Sequence, residues 1–364
     1  MLRWAVLTGV TVAAGVGLTL LGVPSALLFA ALVVGIGFAL MSRTPATVAR
    51  PFGLAAQGVL GVYIGTMVEP DALSTLGADW PIVLAVAVAT LALSMIAGVL
   101  LGLHRDVTPL TGALALVAGG ASGLVAIARE LGGDDRVVAV VQYLRVALIT
   151  ASMPVVVMLI YRADTSPPAA AGPQQTTPWY LSLLMLAALV LVGGFLARRI
   201  RLPGAGLLGP LALTVALEIS GLSFGLSVPV LLVQTGYVLI GWQAGLAFTR
   251  DSLRAVGRLL PLATVLILAL GAATAGLGVV LARVADVSLL EGYLATSPGG
   301  VYAVLATAAE TGANVTFVIA AQVLRILLML FCAPLLARGV ARLSRRTQSR
   351  AITDDNNPPI RVAD

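Results

Sequence analysis

The chain has 364 residues, of which 59% are hydrophobic and only 10% charged, with a formal net charge of +6 and a mean hydropathy of +1.03. Much of any globular surface faces water, so this composition excludes an ordinary soluble domain and makes the lipid bilayer both solvent and partner. The positive charge is carried by arginine alone, placed singly or in short clusters between apolar runs, which reads as membrane-topology information and not as a footprint for direct nucleic-acid binding.

Apolar runs of spanning length, ~20 residues each, fall at about 2–21, 24–41, 52–68, 79–103, 108–131 and 136–161. A second set falls at about 178–197, 203–221, 228–248, 257–283, 288–311 and 314–339. The first run, with Arg3 near its start, resembles a signal peptide, but its mid-chain counterpart near Leu181–Leu196 cannot be one, so both are read as spans. The predicted organisation is a first membrane repeat over 1–162, a Pro-rich linker over 163–178, a second repeat over 179–345 and a disordered cytoplasmic tail over 346–364.

The two sets are copies in one register. A shift of 180 residues carries Gly61 onto Gly241, Asp106 onto Asp286, Glu130 onto Glu310, Gln142 onto Gln322, Arg145 onto Arg325 and Pro154 onto Pro334. Shared Ala or Leu would mean little in so apolar a chain, whereas shared Glu, Gln, Arg and Pro mark a duplication. If all six segments of each copy cross, Arg198, Arg199, Arg201, Arg250, Arg254 and Arg258 fall outside, against the positive-inside rule. If the fifth segment of each copy instead enters and leaves by one face, nearly all loop arginines become cytoplasmic. Five crossings is an odd number, so the second copy is then inverted. The expected fold is an all-α polytopic membrane protein of two inverted repeats, each with five spans and one broken re-entrant segment, and with both termini cytoplasmic in a bacterial inner membrane.

The fifth segments carry the helix-breaking residues. Gly119, Gly120 and Ser122 interrupt one, and Ser297, Pro298, Gly299 and Gly300 interrupt the other. Unwound backbone at membrane depth is tolerated where it is buried in protein or lines a wet cavity, and paired broken helices in inverted halves point to a transporter site. The alternative is that these glycines serve only close helix packing. Arg145 and Arg325 lie mid-span, roughly 13–17 Å from a surface at ~1.5 Å per residue, where an unpaired arginine is costly. Gln142 and Gln322, three residues earlier, share their helix face, and Glu130 and Glu310 are the expected counter-charges. The set reads either as a structural clamp in each half or as groups that hold an anionic substrate or gate a proton. One histidine (His104) and one cysteine (Cys332, inside an apolar run) leave no disulfide and no usual metal site, so no metal or cofactor is expected.

Pro298-Gly299-Gly300-Val301, Glu310-Thr311-Gly312-Ala313, Gln322-Val323-Leu324-Arg325 and Ala333-Pro334-Leu335-Leu336 together resemble the bacterial AbrB membrane-protein family, whose duplicated unit covers nearly the whole chain. The first copy departs from this pattern, having Gly119-Gly120-Ala121-Ser122 with no proline. Family labels imply either transcriptional regulation or ammonia monooxygenase activity. Neither a soluble DNA-binding segment nor a set of metal ligands accompanies them here.

The leading functional expectation is a secondary transporter or permease for an unidentified small solute, with an anion among the candidates. The chain has no G-x-x-x-x-G-K-[ST] motif, so energy would come from a gradient. The alternative is a membrane regulator or sensor that affects gene expression indirectly through a partner. Catalysis is not expected, because Ser122 and Ser297 have no histidine companion. A homodimer is suggested only by this class of architecture.

Overall fold

Thr108 and Ser288, Asp134 and Asn314 are small polar residues ahead of apolar runs, the pattern that starts helices. In the computed structural model all four do so. Thr108 accepts from the Thr111 amide, Ser288 forms a reciprocal capping box with Glu291, Asp134 accepts from the amides of Arg136 and Val137, and Asn314 accepts from Phe317 N. The two pairs are 180 residues apart, so the same helix starts are written twice.

The structure describes residues 2–41, 48–68, 70–117, 121–162, 178–200, 202, 204–222, 224–247, 250–329 and 332. The linker apart from Pro178, the tail 346–364, Gly119 and Gly120 lie outside the described residues. Among those described there are helices and no strand. The first half holds α1 (Leu2–Leu20), α2 (Ala26–Leu40), α3 (Arg50–Gly65), α4 (Pro70–Leu101), α5 (Pro109–Leu116), α6 (Ala121–Leu131) and α7 (Asp135–Leu159). The second holds α8 (Trp179–Arg199), α9 (Ala205–Ile219), α10 (Val230–Gly245), α11 (Arg250–Ala255), α12 (Leu260–Val284), α13 (Leu289–Thr296), α14 (Val301–Glu310) and α15 (Val315–Met329). The expected fifth segment is two short helices in each half, α5/α6 and α13/α14, and the breaks fall in equivalent places.

Among the described residues, five stretches are long and apolar enough to cross a membrane: α1, the Trp80–Leu101 part of α4, α7, α8 and α12. The runs expected at about 24–41, 52–68, 203–221 and 228–248 give helices of only 15 or 16 residues, about 22–24 Å long against a ~30 Å hydrocarbon core. The chain turns before two of them: Ser25 and Gly204 begin α2 and α9 in the left-handed conformation, with φ 51° and 66°. These short helices pack in the interior. α2 lies against α10 and α9 lies against α3, the same contact made twice with the halves exchanged. Glycine permits it. A Cβ on Gly241 would lie 2.5 Å from Leu28 O, and one on its equivalent Gly61 would lie 2.5 Å from Leu207 O. The N-terminal run is seated on α10, since Trp242 donates from Nε1 to Thr11 Oγ1 at 3.0 Å and packs its ring, tilted by 57°, against Trp4 at a centroid distance of 5.7 Å.

The half-helices α5 and α13 lean on α4 and α12. A Cβ on Gly112 would meet Gly98 O at 2.4 Å, and one on Gly292 would meet Gly278 O at 2.2 Å. The two backbones approach closely, which only small residues allow. This packing places the C-terminal ends of α5 and α13 inside the protein, where their last carbonyls need donors.

Candidate functional site

The donors come from α7 and α15. Gln142 Nε2 donates to Leu114 O at 2.9 Å and to Val117 O at 2.7 Å, and Arg145 Nη1 donates to Leu116 O at 3.1 Å. In the second half Gln322 Nε2 donates to Leu294 O at 2.7 Å and, more weakly, to Ser297 O and Ala295 O at 3.3 and 3.4 Å. Arg325 Nη1 donates to Ser297 O at 2.5 Å and to Thr296 O at 3.3 Å, and its Nη2 donates to Gln322 Oε1 at 2.6 Å. Each Gln–Arg pair therefore clamps the negative end of a half-helix, where a cation is favoured. The pairing of Gln and Arg on one face is as expected.

The expected counter-charges are not found on the arginines. Glu130 is exposed, and the Glu310 carboxylate accepts from the backbone amide of Ser25 at the start of α2. Among the described residues no carboxylate contacts Arg145 or Arg325. The physical reason is that the unpaired carbonyls of α5 and α13 already supply oriented acceptors beside the arginines, whereas α6 and α14 carry their glutamates to the far end. Ser122 lies in α6, and nothing is described of its side chain.

Val117 and Ser297 leave their helices in extended conformation, with ψ 129° and 125°. Gly300 begins α14 at φ −70°, and its amide donates to Thr150 Oγ1 of α7 at 3.2 Å. A helix of the first half thus supports the break of the second. Gly299 also rests on α7, where a Cβ would lie 3.0 Å from Ile149 Cγ2.

Between these elements lies a cavity of about 340 Å³. Its walls include Gln142 and Arg145 of α7, Arg325 of α15, Gly299 and Gly300 at the second break, Gln57 of α3 and Gln243 of α10. Both arginines are almost wholly buried, with 5% and 4% of their surface exposed. Their Nε atoms, together with Gln142 Oε1 and Ser297 Oγ, are buried with no hydrogen-bond partner among the described residues. Pro298 is buried in the same turn. Among the described residues no group of three His, Cys, Asp or Glu side chains could hold a metal.

Gln57 and Gln243 escaped the sequence reading. Their counterparts at the 180-residue shift are Tyr237 and Tyr63, so a search for repeated polar residues passes over them. The available signal was amide side chains within apolar runs, at matching Gln/Tyr positions exchanged between the halves.

The family model for "Transition state regulatory protein AbrB" matches residues 4–341. The chain is 34% identical over 345 residues to "Putative regulator AbrB" of Escherichia coli (strain K12), covering 94% of this chain and 97% of that one. It is 27% identical over 290 residues to "Uncharacterized protein YhjN" of Bacillus subtilis (strain 168), covering 76% of each. No solved structure matches. A model match over nearly the full length, joined to a relative aligned almost end to end, means that this chain belongs to the AbrB family.

Proposed function

We propose that this chain is a secondary transporter for a small solute, built from two inverted repeats of five spans and one broken re-entrant segment each. It would sit in a bacterial inner membrane with both termini cytoplasmic. The observation that carries the reading is the cavity walled by both halves, onto which the second break and the clamping arginines of both halves face. Broken helices are tolerated in lipid where they serve such a cavity, and paired ones suit alternating access.

A second observation supports alternation. Glu310 is docked on the Ser25 amide at the start of α2, while its equivalent Glu130 is exposed and the corresponding residue Gly204 borders the cavity. Two copies of one unit in unequal states are what a cavity open toward one side requires; exchanging those states would open the other. Arginine placement supports the inverted topology and the cytoplasmic termini.

The test joins flux to topology. Purified full-length protein in liposomes should catalyse saturable uptake of some member of a small-metabolite panel under a proton gradient. Single cysteines replacing Gly133 and Ala313 in a Cys332→Ser background should label from opposite faces of intact cells. Labelling of both from one face, or no flux across the panel, would refute the reading. The names of the family model and of the E. coli relative favour a second reading, an indirect effect on gene expression through a protein partner. It predicts that a specific partner is recovered by cross-linking in cells.

A further inference from the structure

Among the described residues, the cavity between the halves carries positive charge with no acid to balance it. Arg145 and Arg325 both line it, and neither Asp nor Glu is among its lining residues. Each guanidinium faces the C-terminal end of a short helix, which offers only about half a negative charge. Roughly one net positive charge is therefore left in a buried site. The second break adds to it. In α14 the first backbone donors to the helix are Ala303 and Val304, so the amides of Val301 and Tyr302, both cavity residues, precede the helical ladder at its positive end. Two arginine side chains, each more than nine-tenths buried, stand on the cavity wall, which separates this site from a helix N-terminus alone. A buried charge left without a partner is expensive, and a ligand that brings the missing charge removes that cost.

The remaining walls describe the rest of the ligand. Leu207, Leu208 and Ile240 form an apolar side, and Gln57 and Gln243 supply neutral amides. A volume of about 340 Å³ lies at the lower end of small-molecule sites, ~300–1,000 Å³. A hydrated inorganic anion would leave the apolar wall unused.

We propose that this cavity binds a small organic monoanion, a carboxylate with an apolar body, whose carboxylate lies among Arg145, Arg325 and the first amides of α14 while its body rests on Leu207, Leu208 and Ile240. The proposal names the solute class of the transporter reading and rests on that reading only for movement of the bound anion.

Isothermal titration of the full chain in neutral detergent tests it, with acetate, hexanoate and phenylacetate as probes and phenylacetamide, chloride and inorganic phosphate as comparisons. Hexanoate or phenylacetate should bind saturably and more tightly than acetate. Phenylacetate should exceed phenylacetamide by about 30-fold or more, the worth of a charge-assisted contact. Arg325→Met should abolish binding but also releases the α13 carbonyls. Ala244→Trp, on the α10 wall of the cavity and outside the clamp hydrogen bonds, should abolish binding while the melting transition is retained. Equal binding of acid and amide, tighter binding of phosphate, no saturable carboxylate binding, or unchanged binding in folded Ala244→Trp would each overturn the proposal. The two readings can fail separately. Carboxylate binding without flux keeps the anion site and refutes the transporter, and flux of a neutral solute without carboxylate binding refutes the anion site alone.

Discussion

Replacing Gln322 by leucine removes a side chain that serves two masters. Its Nε2 holds the last carbonyls of α13, with one short bond at 2.7 Å and two long ones at 3.3 and 3.4 Å, and its Oε1 accepts a hydrogen bond from Arg325 Nη2 at 2.6 Å. A neutral hydrogen bond contributes about 1 kcal/mol and one to a charged group about 1.5–3 kcal/mol. Partners found within the membrane by the unfolded state reduce such figures, to ~0.6 kcal/mol on average for bonds between helices. The expected cost of Gln322→Leu is therefore about 2–4 kcal/mol. Gln142 holds two carbonyls at 2.9 and 2.7 Å, but its Oε1 has no partner among the described residues. Gln142→Leu should cost about 1–2 kcal/mol. Reversible unfolding in mixed micelles, followed by tryptophan fluorescence, compares the two variants. A cycle with Arg325→Met should return a coupling of about 1–2 kcal/mol for the Gln322–Arg325 pair. Equal costs for the two leucine variants, with no coupling to Arg325, would refute the clamp as described.

Gly292→Ala and Gly112→Ala each push a methyl group into the backbone of the neighbouring helix; each should destabilise by about 1–3 kcal/mol or more in the same unfolding assay. Glu310→Gln weakens a charge-assisted bond to the Ser25 amide and should cost about 1–2 kcal/mol, whereas Glu130→Gln, at an exposed position, should stay within about 0.5 kcal/mol. Ser288→Ala removes a capping box that Thr108 does not have, so it should cost about 1 kcal/mol and exceed Thr108→Ala.

The repeat and its interruptions could be read from residue order because both depend on spacing. Cap residues, glycines and the Gln–Arg pair recur at one interval, and a helix that breaks at Ser297–Gly300 carries its own breaking residues. The partners of Arg145 and Arg325 could not be read in this way. Sequence pairs charge with charge and so offered Glu130 and Glu310, while the acceptors are backbone carbonyls, present at every position and informative only once α5 and α13 end beside α7 and α15. Glu310 reaches Ser25, 285 residues away, by a route that no local pattern records.

Sequence by itself determined that the chain is a helical membrane protein, duplicated, with a break at equivalent places in each copy, because hydropathy, small residues and helix caps act locally. Only the tertiary structure decided what those breaks serve. Exchanging short helices between the halves brings Gln57, Gln243 and two arginines without acidic partners around one cavity, and places equivalent glutamates in unequal surroundings. Residue order alone does not specify that inequality; it depends on what each glutamate meets in the other half of the chain.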